Sequence, residues 1–395
     1  MLTNNLKKVL STKKKINKVN TPFDEKRLDF INQLSEDIVS TKFSKNYPDL
    51  FNFCLWAKTS NLKKFDLKDK NTYSVGLVYH VCPSNVALTF AYSFVISFIL
   101  GNDNIIKLPK KNFHQTDIFL KSFKKVLKKK RFKDFKSNYF VKYDHKTSDL
   151  TSFISKISDA RIIWGGDQTV KDIQNISTKI NTRDIYFSDK YSCSIINLDK
   201  FNKLNMAQFK LLINNFYRDS SFSNQMACTS PHLIIWYGKI KNKEKSKLFW
   251  EMLNIKYSKY QKIDMATKYV KFTNYCNDII RVQKLKKIYL KEENISVYTL
   301  NKLDKETVNL RSGLGSFYEI YLRKLKILSN IVNSRFQTLS FFGFEKNTLS
   351  KILKKEDING FSRLVPIGKS HEMTFNWDGY NLYSFLTNKR EVIKE

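Results

Sequence analysis

Cys228 lies in residues 223–231, SNQMACTSP, a turn of small residues that leads directly into the apolar run HLIIWYG. Its neighbours Ala227, Thr229 and Ser230 leave room for close approach of a substrate. A thiol so placed suits acyl transfer, because its thiolate is partly populated near neutral pH and its thioester product stays reactive. The competing reading is a packed thiol with no chemistry, the usual state of an intracellular cysteine, and no base stands at a telling spacing from it. His232 could protonate an oxyanion, yet residues i and i+4 of a strand are not neighbours, so its ring is expected to point elsewhere.

Three further segments carry groups that bind or polarise. In PSNVA, residues 83–87, the Asn85 amide could donate to a developing oxyanion; taken singly it reads better as a helix cap. In GNDNIIKLPK, residues 101–110, Lys107 leaves the carboxyl end of a strand, where α/β sheets bind nucleotides, although a solvated lysine is the plainer account. In IIWGGDQTV, residues 162–170, Gly165 and Gly166 join a strand to a helix whose N-terminal amides favour pyrophosphate. The full G-x-G-x-x-G spacing is absent, and Asp167 suits an N-cap but would repel phosphate if it pointed inward.

The elements that must position these residues alternate. YSVGLVYHVC reads as a strand, residues 86–100 as a buried helix stopped at Gly101, NIIKL as a strand, and residues 121–136 as a basic amphipathic helix. ARIIWGG, RDIYFSD and CSIINL continue as strands around the helix DQTVKDIQNIS. This order predicts a mostly parallel sheet covered on both faces. The pattern restarts near residue 199 with the helix MAQFKLLINNFYRD, the Cys228 turn, and helices over EKSKLFWEMLNIKYSKYQ and SFYEIYLRKLKILSNIVNS, before GFSRLVPIG returns as strand.

At 395 residues the chain accommodates two domains, and its 42% apolar and 14% aromatic content marks it as globular. Its five cysteines are widely spaced and form no C-x-x-C pair, which argues against a disulfide framework or a zinc site. No metal is expected. The basic N-terminus lacks the apolar core of a signal peptide, and residues 86–100 fall short of the ~20 that span a membrane, so a cytoplasmic protein with no membrane span is expected. The net charge of +34 invites a polyanionic partner. Its lysines are nevertheless dispersed along the whole chain, so nucleic-acid binding is the minority reading.

Taken in order, PSN, GNDNIIKLP, IIWGGDQTV and SNQMACTSPHLII resemble the successive cofactor and nucleophile segments of the aldehyde dehydrogenase superfamily. WGGD, ACTSPH, QTLSFFG, GFSRLVPIG and WDGYNL make the chain more similar to its luminescence-type branch, the fatty acyl-CoA reductases of the LuxC family. The resemblance implies an α/β aldehyde dehydrogenase-like fold with two Rossmann-like lobes. It divides the chain into an N-terminal helical segment (1–70), an NAD(P)-binding domain (71–198), a catalytic domain (199–360) and a returning segment (361–395). It makes Cys228 the nucleophile, and Asn85 an oxyanion donor beside the Cys228 backbone N–H. Lys107 would contact the adenosine ribose or its 2′-phosphate. Pro83, Ser84, Gly165 and Gly166 would line the cofactor cleft, and Glu319 would match a ribose-binding glutamate.

Two departures from the superfamily pattern refine the expectation. Aldehyde-oxidising members carry a glutamate base where this chain, aligned through Ser192, has Phe187 in FSDKYSCS; a thioester reductase does not need that base. Lys110 stands where NAD-preferring members often place an acid, which favours the extra phosphate of NADPH. The implied reaction is NADPH-dependent reduction of acyl-CoA to aldehyde through a Cys228 thioester. An acyl-protein synthetase is an admissible donor, and a homo-oligomer is compatible with the superfamily. The alternatives are an oxidative aldehyde dehydrogenase, a degenerate member that only binds, and a nucleic-acid-binding protein.

Overall fold

The apolar runs LVYHV, DNIIK, ARIIW and RDIYF become adjacent parallel strands because each is buried from both faces by helices. The structure, a computed structural model, describes residues 20–42, 46–144, 148–239, 243–260, 264–281, 285–291 and 294–393. It comprises two units, one drawn from Met1–Asp189 and Met373–Glu395, the other from Lys190–Glu372.

The first unit contains β1 (Thr72–Ser74), β2 (Leu77–Val81), β3 (Asp103–Lys107), β4 (Tyr139–Val141), β5 (Ala160–Trp164) and β6 (Arg183–Phe187). Its five-stranded sheet runs β4-β3-β2-β5-β6, all parallel. The chain winds outward from β2 through β3 to β4, then returns beside β2 as β5, so the order reverses between β2 and β5. The helix Thr89–Ile99 is almost wholly buried and hands over to Gly101, whose φ of +94° is the left-handed conformation that a glycine cap adopts most readily. Among the described residues no helix is long and apolar enough to cross a membrane.

The helix Glu25–Ser40, capped by the Asp24 carboxylate, inserts Phe30 among Phe98, Phe123, Phe132 and Phe135 at ring separations of 5.1–5.5 Å. The single basic helix expected over 121–136 is broken: a helix spans His114–Leu127 and a 3-10 stretch spans Lys130–Ser137. Burial of both Phe132 and Phe135 explains the break, since the tighter turn brings the two rings onto one face. Three cations of this segment bond to helix Glu25–Ser40. Lys125 pairs with Asp37, Arg131 with Asp29 at 2.7 Å, and Lys129 donates to Gln33 at 2.6 Å.

The second unit holds β7 (Tyr191–Asn197), β8 (Pro231–Tyr237), β9 (Leu285–Lys291), β10 (Ser296–Leu300), β11 (Ser316–Leu322), β12 (Phe336–Phe342) and β13 (Arg363–Pro366). They form one sheet, β13-β12-β7-β8-β11-β10-β9, parallel except for β9. Hydrogen bonds place β7 between β12 and β8, so the CSIINL strand belongs to this sheet. The helix expected over SFYEIYLRKLKILSNIVNS is instead β11 followed by the 3-10 stretch Lys326–Asn330. Residues 316–320 are buried on both faces, which removes the alternation that marks a strand and leaves a run that imitates helical spacing. The chain then returns to the first unit with β14 (Asn376–Trp377), β15 (Tyr380–Asn381) and β16 (Thr387–Lys389), the last pairing antiparallel with β1.

Candidate active site

In the first unit the expected cofactor residues gather at one edge. Pro83, Ser84 and Asn85 follow β2, Gly165 and Gly166 follow β5, and Lys107 ends β3. These are the carboxyl ends of three adjacent strands flanking the reversal of strand order, the place where open α/β sheets bind ligands. Asn85 is exposed and is not the cap of the next helix, whose N-cap is Leu88. Gly166 caps the helix Asp167–Gln174 without a side-chain hydrogen bond, and a Cβ there would meet nothing within 4 Å. Asp167 occupies the first turn of that helix and is exposed.

Lys107 is half-buried with its ammonium 4.6 Å from the centre of the Tyr143 ring. Burial pulls its pKa down; the nearby Asp144 carboxylate opposes this and Lys110 adds to it. Lys110 itself pairs with Asp144 at 3.0 Å. Cations and an open, glycine-lined helix N-terminus at the same sheet edge are groups that suit the phosphates of a dinucleotide. At the ends of β5 and β6, Trp164 and Phe187 stack at 3.9 Å, and the Trp164 indole N–H donates to Ser93 Oγ at 3.2 Å. Phe187 is buried, so the position expected for a water-activating carboxylate carries a packed apolar ring.

The second unit builds the surroundings of Cys228. Cys54, Cys82 and Cys193 are buried, and burial raises all three thiol pKa values, that of Cys54 to about 12. Cys228 and Cys276 are only half-buried. Cys276 lies on the helix Met265–Arg281, whereas Cys228 sits in a tight turn ahead of β8. Ser230 N donates to Ala227 O at 2.9 Å, which makes Cys228 and Thr229 the central residues of that turn. The Ser192 hydroxyl donates to Cys228 O at 2.5 Å and accepts from Thr338 N at 3.2 Å.

On the upstream side, Ser223, Asn224 and Gln225 have φ of 48°, 56° and 66°, one left-handed turn of non-glycine residues. Gln225 is fully buried and holds that turn to the start of β11. Its amide N–H groups donate to Pro231 O and Ser316 O, and its carbonyl accepts from Gly315 N. Cys228 therefore stands at the amino edge of its own sheet, on a turn fixed by side chains from both flanks.

Two expected residues have other surroundings. Glu319 is 3% exposed inside β11, and its carboxylate accepts from Thr299 Oγ1 at 2.8 Å and from the indole N–H groups of Trp236 and Trp250 at 2.8 and 2.9 Å. A ribose hydroxyl would reach it only through this closed interior, so its surroundings favour a structural role over the expected cofactor contact. His232 is buried against Tyr191, with ring centres 5.7 Å apart. A further group that sequence reading missed touches the Cys228 turn: His371 Nδ1 lies 2.7 Å from Thr229 Oγ1, across 142 residues of sequence. No local spacing could have announced it.

The fold is shared with solved aldehyde dehydrogenases. Glyceraldehyde-3-phosphate dehydrogenase GapN from Methanocaldococcus jannaschii, solved in complex with NADP, matches at 12% identity with a TM-score of 0.65, covering 98% of this chain and 91% of its own. Aldehyde dehydrogenase 21 from Physcomitrella patens matches at 8% identity and 0.65, covering 92% and 85%. A salicylaldehyde dehydrogenase from Pseudomonas putida matches at 11% and 0.62, covering 94% and 85%. Among curated protein sequences, none matches the chain. The sequence profile described as acyl-CoA reductase (LuxC) matches residues 49–388. This protein therefore belongs to the LuxC family of acyl-CoA reductases, oxidoreductases of acyl and aldehyde groups built on an aldehyde dehydrogenase fold.

Proposed function

We propose that the protein reduces a fatty acyl thioester of coenzyme A to the aldehyde, using NADPH and a covalent intermediate on Cys228. The observation that carries this reading is the half-buried Cys228 thiol at the centre of a turn tied down on both flanks, in a chain of the acyl-CoA reductase family. The Cys228 thiolate attacks the acyl carbonyl carbon, the bond from that carbon to the coenzyme A sulfur breaks, and coenzyme A leaves as its thiol after taking up a proton. NADPH, when bound, supplies the hydride that reduces the Cys228 thioester. The oxyanion formed at each stage is stabilised by the Cys228 backbone N–H and the Asn85 amide, the donors that the family resemblance assigns. Collapse of the reduced adduct breaks the carbon–sulfur bond, frees the aldehyde and restores the thiolate.

Lys107, Pro83, Ser84, Gly165 and Gly166 are the residues that would hold the cofactor, with Lys110 favouring its 2′-phosphate. The packed Phe187 ring supports the reductive direction over the oxidative one, because water near the thioester then lacks a carboxylate to activate it. Incubation with acyl-CoA substrates of graded chain length and NADPH tests the reading. The expected outcome is acyl-CoA-dependent NADPH loss and an intact-mass acyl adduct that maps to Cys228 and vanishes in Cys228→Ala. An adduct on Cys276 instead, or aldehyde oxidation without any acyl-CoA-dependent NADPH loss, would overturn it. Transfer only from a purified acyl-protein synthetase, and not from acyl-CoA, would replace the donor while keeping the nucleophile.

A further inference from the structure

Two hydrogen bonds set which nitrogen of His371 carries the proton when the ring is neutral. The main-chain oxygen of Asp219 can only accept, so Nε2, 2.9 Å from it, carries the proton. Nδ1 is then a bare lone pair, and the Thr229 hydroxyl 2.7 Å away is the donor. The same ring packs on Phe222 with centres 4.4 Å apart, so it touches the chain on both sides of Cys228. The loop that carries His371 is itself anchored, because the buried Asp219 carboxylate accepts from Gly368 N at 2.6 Å and Ser370 N at 3.1 Å. Gly368 has φ +100°, and a Cβ there would fall 2.8 Å from Asn215 Cβ. The anchor therefore requires glycine at this bend.

A histidine one residue removed from a nucleophilic thiol invites the role of general base, and its surroundings argue against that. Burial, against the opposing bond to the Asp219 main chain and with the charges of Arg363 and Arg218, pulls its pKa down to about 4. Its one lone pair is already engaged by Thr229. Orientation is the role left to it.

We propose that His371 is a positioning residue for Cys228: as the neutral Nε2–H tautomer it holds the Thr229 hydroxyl, and through it the 227–230 turn, in the geometry from which the thiolate reaches the acyl carbonyl. This inference rests on the reading of Cys228 as the nucleophile. The contact supplies no proton and no charge, so its loss misplaces the sulfur without altering the chemistry.

A double-mutant cycle with a conservative control tests it. Thr229→Val and His371→Ala are each expected to lower kcat by roughly tenfold to a hundredfold, the scale of a small misplacement of a reacting group, with KM for acyl-CoA within about twofold. The double variant is expected to be no slower than the worse single, Thr229→Ser to keep most of the activity, and every variant to keep the pH profile of the wild type. Multiplying effects, a Thr229→Ser variant as slow as Thr229→Val, or loss of one limb of the profile in His371→Ala would overturn the proposal. If His371→Ala does not fold, the Thr229→Val and Thr229→Ser pair decides it, together with nitrogen NMR of the wild-type ring; a proton found on Nδ1 at neutral pH would refute the assignment. The same cycle read by iodoacetamide alkylation of Cys228 needs no acyl chemistry. Non-additive alkylation in a protein that forms no acyl adduct would reject the nucleophile and leave the positioning contact standing, and additive alkylation would reject the contact.

Discussion

Lys110 and Asp144 form an exposed pair at 3.0 Å, and Lys107 lies close enough to feel the same carboxylate. Two cations and one anion leave a single net positive charge where a 2′-phosphate is proposed to bind, so the carboxylate limits the preference for NADPH. Asp144→Asn should lower KM for NADPH several-fold with kcat unchanged. Lys110→Glu should cut kcat/KM for NADPH by roughly tenfold and spare NADH, as expected from losing one charge-assisted phosphate contact at a wet surface. Initial-rate kinetics with both cofactors check this, and an equal loss for both would remove Lys110 from cofactor selection. Glu319 poses the opposite problem, a carboxylate surrounded by three donors in the interior. In Glu319→Gln the amide oxygen can still serve both indoles, but the Thr299 hydroxyl must turn from donor to acceptor and the charge-assisted strength of the bonds is lost, at a cost of about 1–3 kcal/mol. The thermal midpoint should fall while KM for NADPH stays put; the reverse pattern would reinstate a ribose contact.

The turns that flank Cys228 carry a pH signature because they share a buried acid and a buried imidazole. Burial raises Asp219 from 3.8 to about 6 and lowers His371 from 6.5 to about 4. Between pH 4 and 6 the unfolded chain holds an imidazolium and a carboxylate, whereas the folded chain holds both groups neutral, so the two states bind equal numbers of protons. His371 alone makes stability fall as pH drops from about 6.5 to 4, since only the unfolded state takes up its proton. Asp219 alone makes stability rise as pH drops from about 6 to 4, since the folded state protonates first. Arg218 and Arg363 are the cationic groups that bear on the imidazole. Asp219→Asn removes the rising limb, so its stability deficit relative to wild type should grow by on the order of 1 kcal/mol between pH 7 and 5. Urea unfolding at pH 7, 6 and 5 tests this, and a deficit that stays constant refutes it. None of this was legible beforehand, because the groups meet across chain separations that no window spans. The gathering of Pro83, Lys107, Gly165 and Gly166 at one sheet edge was legible, since each of β2, β3 and β5 ends at a Pro, Lys or Gly-Gly punctuation that topology brings side by side. β11 was misread because tertiary burial on both faces erased its period, and the two indoles that close over Glu319 were invisible to a motif match.

Across the whole chain, 70 Lys and Arg face 36 Asp and Glu, so even if every acid were paired 34 cations would remain. Such an excess repels itself in the compact state and attracts any polyanion. The two consequences respond to salt in opposite senses. Raising NaCl from about 10 to 150 mM shortens the Debye length from roughly 30 to 8 Å, which relieves long-range repulsion and should raise the thermal midpoint. A midpoint that falls with salt would mean that local pairs such as Arg131–Asp29, rather than the global excess, dominate the surface field. Duplex DNA should bind at low salt and be lost steeply by 150 mM, because each phosphate contact releases a condensed counterion and steepens the salt dependence. The cations that look most like a nucleic-acid face, Lys125, Lys129 and Arg131, already bond to Asp37, Gln33 and Asp29 of the neighbouring helix, so a duplex would have to compete with partners held in place by the fold. Substituting these three cations with alanine should therefore change DNA retention little more than substituting any three dispersed lysines. A selective loss confined to that segment would show a dedicated polyanion surface beside the proposed reductase activity.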